Sequence, residues 1–372
     1  DLSTPLPTYP KDFRSGFASL VGRPNAGKST LTNAMVGQKV AITSNRPQTT
    51  RHTIRGIVHK DEYQLILVDT PGIHRPRTLL GERLNDLVAS TLSQVDVLGF
   101  CIPANEKIGP GDRYIASQLV ASSNKPVVAI VTKADTVSSE ELREQLLAVE
   151  ALGEEVMSAE RAARAKRAAH RAKQKGKGPK GKGGKNDAVP FAKGSGPAAK
   201  RRAGEVSEPM PVDGKGGWAA IIPVSAVKHF QVDAVADLLA QYTPLSPPLY
   251  PEGELTDEPE ATLIAELVRE AALEGAREEL PHSIAVTVEE MEFREGRPAD
   301  NPLLDVHVNL FVERESQKYI IIGKGGSNLR KIGTKAREQI EAMLGTRIYL
   351  NIHVKVAKEW QSDARALNRL GF

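Results

Sequence analysis

Phe17-Ala18-Ser19-Leu20-Val21-Gly22-Arg23-Pro24-Asn25-Ala26-Gly27-Lys28-Ser29-Thr30-Leu31-Thr32-Asn33-Ala34-Met35 is the stretch that decides the fold. The apolar run 17–21 reads as a strand, Gly22 to Ser29 has the spacing Gly-x4-Gly-Lys-Ser, and 29–35 reads as a helix. That strand–loop–helix context is what a phosphate-binding loop requires. Its glycines let backbone N–H groups close on a polyphosphate, and the helix start adds partial positive charge. Lys28 is placed to neutralise the outer phosphates, and Ser29 to hold Mg²⁺.

Outward from this loop, short β-rich runs alternate with helical stretches. Strands are predicted at 16–21, 52–59, 63–68, 95–102, 126–132 and 219–224. Such βα alternation predicts an α/β unit with a mainly parallel sheet flanked by helices. Ligands of these sheets bind at the carboxyl ends of strands. The 372 residues suit two domains, with hydrophobic residues at 40% and charged ones at 26%, as in ordinary globular chains. No apolar run approaches the roughly 20 residues of a membrane span. The single cysteine, Cys101, lies in an apolar run and reads as a core thiol of a reducing compartment.

Three further strand ends carry matching chemistry. Asp69-Thr70-Pro71-Gly72 follows Leu65 to Val68, which sets a carboxylate beside the phosphate loop for Mg²⁺. The Gly72 N–H is placed to report the terminal phosphate. Thr132-Lys133-Ala134-Asp135 follows Val127 to Val131. Asp135 can accept both donors of the guanine edge, a pair that adenine lacks, while the Lys133 stem packs along the ring. Ser225-Ala226 follows a third strand and can offer a backbone N–H to the base oxygen. One short match is weak; four in chain order, each at a strand end, predict a GTP site.

A second unit begins near Glu258, after the proline-rich Thr243-Pro244-Leu245-Ser246-Pro247-Pro248. Its predicted elements are a helix over 261–280, strands over 283–291 and 303–312, a helix over 327–344 and a strand over 347–355. Gly323-Lys324-Gly325-Gly326 stands before the long helix and matches the GXXG loop that clamps about four nucleotides of RNA backbone. Five basic residues and no acid lie between Lys324 and Arg337. Arg330, Lys331 and Lys335 are the expected RNA contacts beside Gly323 to Gly326.

Together these passages resemble the Era family of GTPases, a GTP-binding domain followed by a KH domain of type II. Pro47-Gln48-Thr49-Thr50-Arg51-His52, Asp69-Thr70-Pro71-Gly72, the stretch 266–281, Val354 to Trp360 and the ending Leu370-Gly371-Phe372 carry the resemblance, over about 13–150 and 217–372. It divides the chain into an arm (1–12), a GTP-binding domain (13–245) with a basic, disordered insertion at about 158–216, a linker (246–258) and a KH domain (259–372).

The resemblance implies GTP hydrolysis with Mg²⁺ held by Ser29, Thr50 and Asp69, and a nucleotide cradle of Gly22, Arg23, Pro24, Asn25, Ala26, Gly27, Lys28, Ser29 and Thr30. Lys28, Asn25, Thr50 and Gly72 are the expected catalytic set. Ile73 replaces the water-orienting glutamine of many GTPases, so intrinsic hydrolysis should be slow. An asparagine at Asn25 helps ligate K⁺ in related GTPases, which implies K⁺-stimulated turnover. Thr132 departs from the family's asparagine, and its shorter single donor is expected to cost guanine affinity by about 1 kcal/mol.

The implied partners are single-stranded small-subunit ribosomal RNA near its 3′ end and the small ribosomal subunit, for a monomer that assists subunit assembly and leaves on hydrolysis. Peripheral membrane association is compatible with the family. An RNA chaperone with GTP as a structural ligand, and a GTPase of transfer-RNA modification, are the alternatives. Glu315-Ser316-Gln317-Lys318 resembles plastid members in style, which implies the chloroplast stroma, with the mitochondrial matrix and the bacterial cytoplasm as alternatives. The start at Asp1 fits a processed or fragment form.

Charge is unevenly spread. Residues 161–202 hold 15 Lys and Arg against one acid, Asp187; that stretch is +14 in a chain of net +4, leaving −10 elsewhere. The basic segment reads either as an arm for RNA phosphates or as a solvated spacer.

Overall fold

The computed structural model describes residues 9–41, 54–69, 90–122, 125–175, 217–256, 259–275, 284–298 and 300–370. The first unit is built on β1 (Arg14–Val21), β2 (Ile54–His59), β3 (Tyr63–Asp69), β4 (Val97–Pro103), β5 (Val127–Thr132) and β6 (Ala220–Pro223), in sheet order β2-β3-β1-β4-β5-β6. All neighbours pair in parallel except the edge strand β2, which runs antiparallel to β3. Strands β4 and β5, Val-Leu-Gly-Phe-Cys-Ile-Pro and Val-Val-Ala-Ile-Val-Thr, are buried along their whole length. Such unbroken apolar runs belong in the middle of a sheet covered on both faces. Cys101 is fully buried on β4, as a core thiol should be.

Helices α1 (Lys28–Val36), α2 (Pro110–Ser122), α3 (Ser139–Lys175) and α4 (Val232–Ala240) cover the sheet. One face packs Leu31 and Met35 of α1 with Val235 and Leu239 of α4; the other packs Ile115 and Leu119 of α2 with Val149, Leu152 and Val156 of α3. Trp218, fully buried, closes the second core with its indole N–H donating 2.8 Å to the Val149 carbonyl.

Residues 245–250 are held at the starts of β1 and β3, and 254–256 run along the β2 edge. The Ile57 N–H donates to Leu255 O at 2.8 Å, and the Gln64 Oε1 accepts from the N–H groups of Leu249 and Tyr250 at 2.7 and 3.0 Å. The prolines withhold donors, but the residues around them hydrogen-bond to the sheet and its approach.

The second unit holds α5 (Glu260–Gly275), β7 (Ala285–Phe293), β8 (Leu303–Val312), α6 (Glu315–Ile322), α7 (Ser327–Leu344), β9 (Arg347–Val356) and α8 (Ala364–Arg369). β7 pairs antiparallel and β9 parallel with β8. The core lies between this sheet and the apolar stripes of α5 and α7, including Ile264, Val268, Ile332, Ala336 and Ile340. Leu263 of α5 is buried in the first unit's core, and Lys39, just after α1, forms an ion pair with the buried Glu270 of α5. No helix among the described residues is long and apolar enough to cross a membrane.

Candidate nucleotide and RNA sites

The phosphate loop turns between β1 and α1 through two left-handed residues, Asn25 (φ 64°) and Gly27 (φ 84°). Successive backbone N–H groups in such a turn form a concave anion site. Gly22 has no alternative: a Cβ there would stand 2.6 Å from the Cys101 carbonyl of β4. No side chain caps the start of α1, which leaves that end of the helix dipole to an anionic ligand. The buried Lys28 folds its ammonium back over the loop and donates to the carbonyls of Gly22 and Arg23 at 3.1 and 2.9 Å. These features fit a bound polyphosphate. Ser29 follows as the second residue of α1, and Asp69 ends β3 in register with Leu20 of β1, so both stand at the same carboxyl edge of the sheet. Positions at that edge are those expected of residues that would hold Mg²⁺. Thr50, Thr70, Pro71, Gly72 and Ile73 lie outside the described residues.

Arg23 does not reach into the cradle. Its Nε donates to the fully buried Asp112 at 2.7 Å, and its Nη2 to Glu106 at 3.1 Å. A Cβ on Gly111 would meet the Arg23 stem at 2.9 Å, so this helix start leaves room for the side chain. Glu106 also lies 3.8 Å from the Lys133 Nζ. The loop that carries Glu106 is pinned by Gln145 of α3, whose amide donates to Pro103 O and Glu106 O at 3.0 and 2.9 Å. A chain of charges therefore joins the phosphate loop to the base-reading loop.

Thr132 ends β5 beside the phosphate loop. Its hydroxyl is buried and donates 2.7 Å to the Ala26 carbonyl in the phosphate loop. A hydroxyl has one proton to give, and here it braces the loop, not the base. Thr132→Val is therefore expected to weaken GTP and GDP alike by about fivefold, the scale of one net hydrogen bond near 1 kcal/mol. Titration of a fluorescent nucleotide checks this; a loss confined to guanine over other bases would contradict it.

Lys133 takes a left-handed backbone (φ 58°) that swings the next residues across the sheet top. Asp135 then accepts a 2.6 Å hydrogen bond from the Ser225 hydroxyl, which orients the carboxylate. The N–H of Ser225 is engaged with Phe230 O at 3.1 Å. Of the two residues named for the base oxygen, Ala226 is thus the candidate donor, and Ser225 instead holds Asp135.

In the second unit, Gly323 (φ 72°), Gly325 (φ 57°) and Gly326 (φ 75°) all take backbone conformations that side chains resist. Gly323 is also packed: a Cβ would lie 2.8 Å from the Asn328 Cβ. Nothing stands within 4 Å of a Cβ on Gly325 or Gly326. The Asn328 amide donates to Ile320 O at 2.9 Å and ties α7 to α6 across the loop. Beside the loop runs a groove of about 400 Å³ lined by Gly326, Leu329, Arg330, Gly333, Thr334, Arg337, Leu350, Asn351 and Ile352. It combines an apolar floor with two guanidinium groups and an amide, which suits stacked bases beside a phosphate chain.

Of the predicted RNA contacts, Arg330 lines this groove and the exposed Lys324 stands in the loop that opens it. Lys331 is exposed outside the lining, and Lys335 forms an ion pair with Glu274 of α5. Arg337, Leu350, Asn351 and Ile352 were not among the sequence-predicted contacts. Arg337 had a signal, being two residues beyond Lys335 in the acid-free run; the β9 residues had none, because their position is set by sheet packing against α7.

A phosphate loop with base-reading loops on a mainly parallel sheet, followed by a GXXG-bearing αββααβ unit, defines a P-loop GTPase joined to a KH domain. Residues 17–133 match the family described as "50S ribosome-binding GTPase", and residues 279–361 match the KH domain family. A GTPase Era of Streptomyces coelicolor is 56% identical over 359 residues, 96% of this chain and 95% of that protein. One from Mycobacterium avium is 53% identical over 97% of this chain and 99% of its own length. The chain belongs to the GTPase Era family.

Two solved structures agree in fold. A crystal structure of an Aquifex aeolicus Era variant bound to GDP·AlF4⁻ superposes with a TM-score of 0.75 at 29% identity, covering 96% of this chain and 99% of that one. An Era in complex with MgGDPNP and nucleotides 1506–1542 of 16S ribosomal RNA gives 0.75 at 30%, with the same coverage. These curated relatives are bacterial, so the expectation of a plastid member and a chloroplast stroma finds no support. The short Glu315 to Lys318 stretch that suggested it begins an ordinary helix, α6.

Proposed function

We propose that this chain is a GTP-hydrolysing assembly factor that grips single-stranded small-subunit ribosomal RNA in its KH groove, in the bacterial cytoplasm. The observation that carries this is the presence, in one packed chain, of a guanine-nucleotide cleft and a GXXG groove, joined through α5. The cleft binds GTP through the Gly22–Thr30 loop; Asp135 reads the base, and Lys28 holds the outer phosphates. Ser29, Thr50 and Asp69 would hold Mg²⁺, which would supply positive charge to offset that of the phosphates. The Lys39–Glu270 ion pair, between the end of α1 and α5, ties the nucleotide-binding unit to the KH unit. A relative's complex with 16S RNA supports the choice of RNA. Crosslinking in cells followed by sequencing of the bound RNA tests the reading: the 3′ tail of small-subunit RNA should be enriched, and an even spread over cellular RNA would refute it.

Asn25 supports a finer proposal. Its backbone is left-handed and the residue is exposed in the phosphate loop, where an amide oxygen can help hold a monovalent cation. Turnover should be several-fold faster in KCl than in NaCl at equal ionic strength, and Asn25→Ala should remove the difference. Equal rates in the two salts would exclude this role.

A further inference from the structure

The helix α3 changes character along its length. From Ser139 to Glu160 it carries seven acids against one Arg, and its buried residues, Val149, Leu152 and Val156 among them, dock it on the sheet. From Arg161 to Lys175 it carries seven Lys and Arg, no acid, and no apolar side chain larger than alanine. Among the described side chains none beyond Val156 is buried. Chain continuity returns to the body at the same place. A Cβ on Gly217 would lie 2.8 Å from Gly153 O and 2.5 Å from the Met157 side chain, and Ala219 resumes pairing at Val127. Residues 158–216 are therefore an excursion that starts and ends beside one turn of α3.

Alanine keeps this segment helical without tertiary packing. The charges oppose it: Arg161 and Arg164, Arg164 and Arg167, Arg167 and Arg171, and Arg171 and Lys175 repeat at spacings of three and four, where like charges destabilise a helix. Among the described side chains one ion pair offsets this, Arg167 with Glu160 at 3.7 Å. A helix of cations and alanines has no aromatic or aliphatic anchor for a protein interface, and none to insert among lipid acyl chains. What it fits is a dense line of negative charge. Its 15 residues span about 22 Å.

We propose that residues 161–175 of α3 are a second RNA-binding element, which contacts phosphates without reading bases. It springs from the sheet face that packs α2 and α3, whereas Leu263 and Met343 of the KH unit pack on the other face. The two contacts thus address different stretches of one RNA, and each raises the effective concentration for the other. The inference rests on the reading that this chain binds RNA.

The test replaces Arg161, Arg164, Lys166, Arg167, Arg171, Lys173 and Lys175 together by Gln in the full chain, since Gln keeps helix propensity. Affinity for ribosomal RNA extending beyond the 3′ tail is measured from low to high salt. Each lost phosphate contact should flatten the plot of log affinity against log salt by about 0.7, for a total of roughly 3 to 5. GTP turnover without RNA should stay unchanged. An unaltered slope and affinity would overturn the proposal, as would an unaltered slope together with lost binding to anionic phospholipid vesicles, which would assign the helix to membranes. Failure of the wild-type chain to bind RNA at any salt would instead refute the underlying RNA reading.

Discussion

Lys28→Ala should lower GTP affinity by at least about 100-fold and bring turnover to background. Two effects add. The variant loses a charge-assisted hydrogen bond to the outer phosphates, about 1.5–3 kcal/mol by itself. It also removes the ammonium that bridges the Gly22 and Arg23 carbonyls, so the loop loses the brace that shapes it. Isothermal calorimetry and single-turnover hydrolysis measure the two losses separately. Thermal melting adds a control for folding. GTP at 100 times its dissociation constant should stabilise the wild-type chain by about 2.7 kcal/mol and the variant hardly at all. Undiminished GTP binding by a folded Lys28→Ala protein would remove the phosphate-loop reading.

On the RNA side, the largest loss is expected from Lys324→Asp combined with Gly325→Asp. The pair turns one positive charge into two negative ones in the loop proposed to grip the RNA backbone. Loss of about two charge-assisted contacts corresponds to roughly 3 kcal/mol, or about 100-fold in affinity. Folding should survive. A Cβ on Gly325 meets nothing within 4 Å, and its left-handed backbone costs only about 1–2 kcal/mol with a side chain. Gly323 is the wrong choice for this experiment, because a Cβ there presses on Asn328 and the variant would confuse unfolding with lost contact. Fluorescence anisotropy with a single-stranded 3′ fragment gives the affinity, and GTP turnover without RNA should not change. Equal affinity of variant and wild type would place RNA binding outside the groove.

The strand expectations were close because they rest on local patterns. The predicted runs 63–68, 95–102 and 126–132 became Tyr63–Asp69, Val97–Pro103 and Val127–Thr132, and the helix 327–344 was found with those bounds. Continuous apolar runs and glycines at turns act over a few residues, so the sequence shows them directly. α3 runs on to Lys175, into the stretch counted with the disordered insertion at about 158–216, because its alanines, arginines and lysines favour a helix without tertiary packing.

The sequence alone determined the order of strands and loops and the identity of the phosphate and GXXG turns, and it marked Asp135 as the candidate for reading guanine, since each depends on neighbours along the chain. Only the tertiary structure decided which partner each polar side chain takes. It gave the Thr132 hydroxyl to Ala26, the Ser225 hydroxyl to Asp135, Lys335 to Glu274, and Arg337 with Leu350 and Ile352 to the groove beside the GXXG loop. Those pairings bring together residues from separate elements, and a hydrogen bond or ion pair is set by distance in space, which spacing along the chain does not specify.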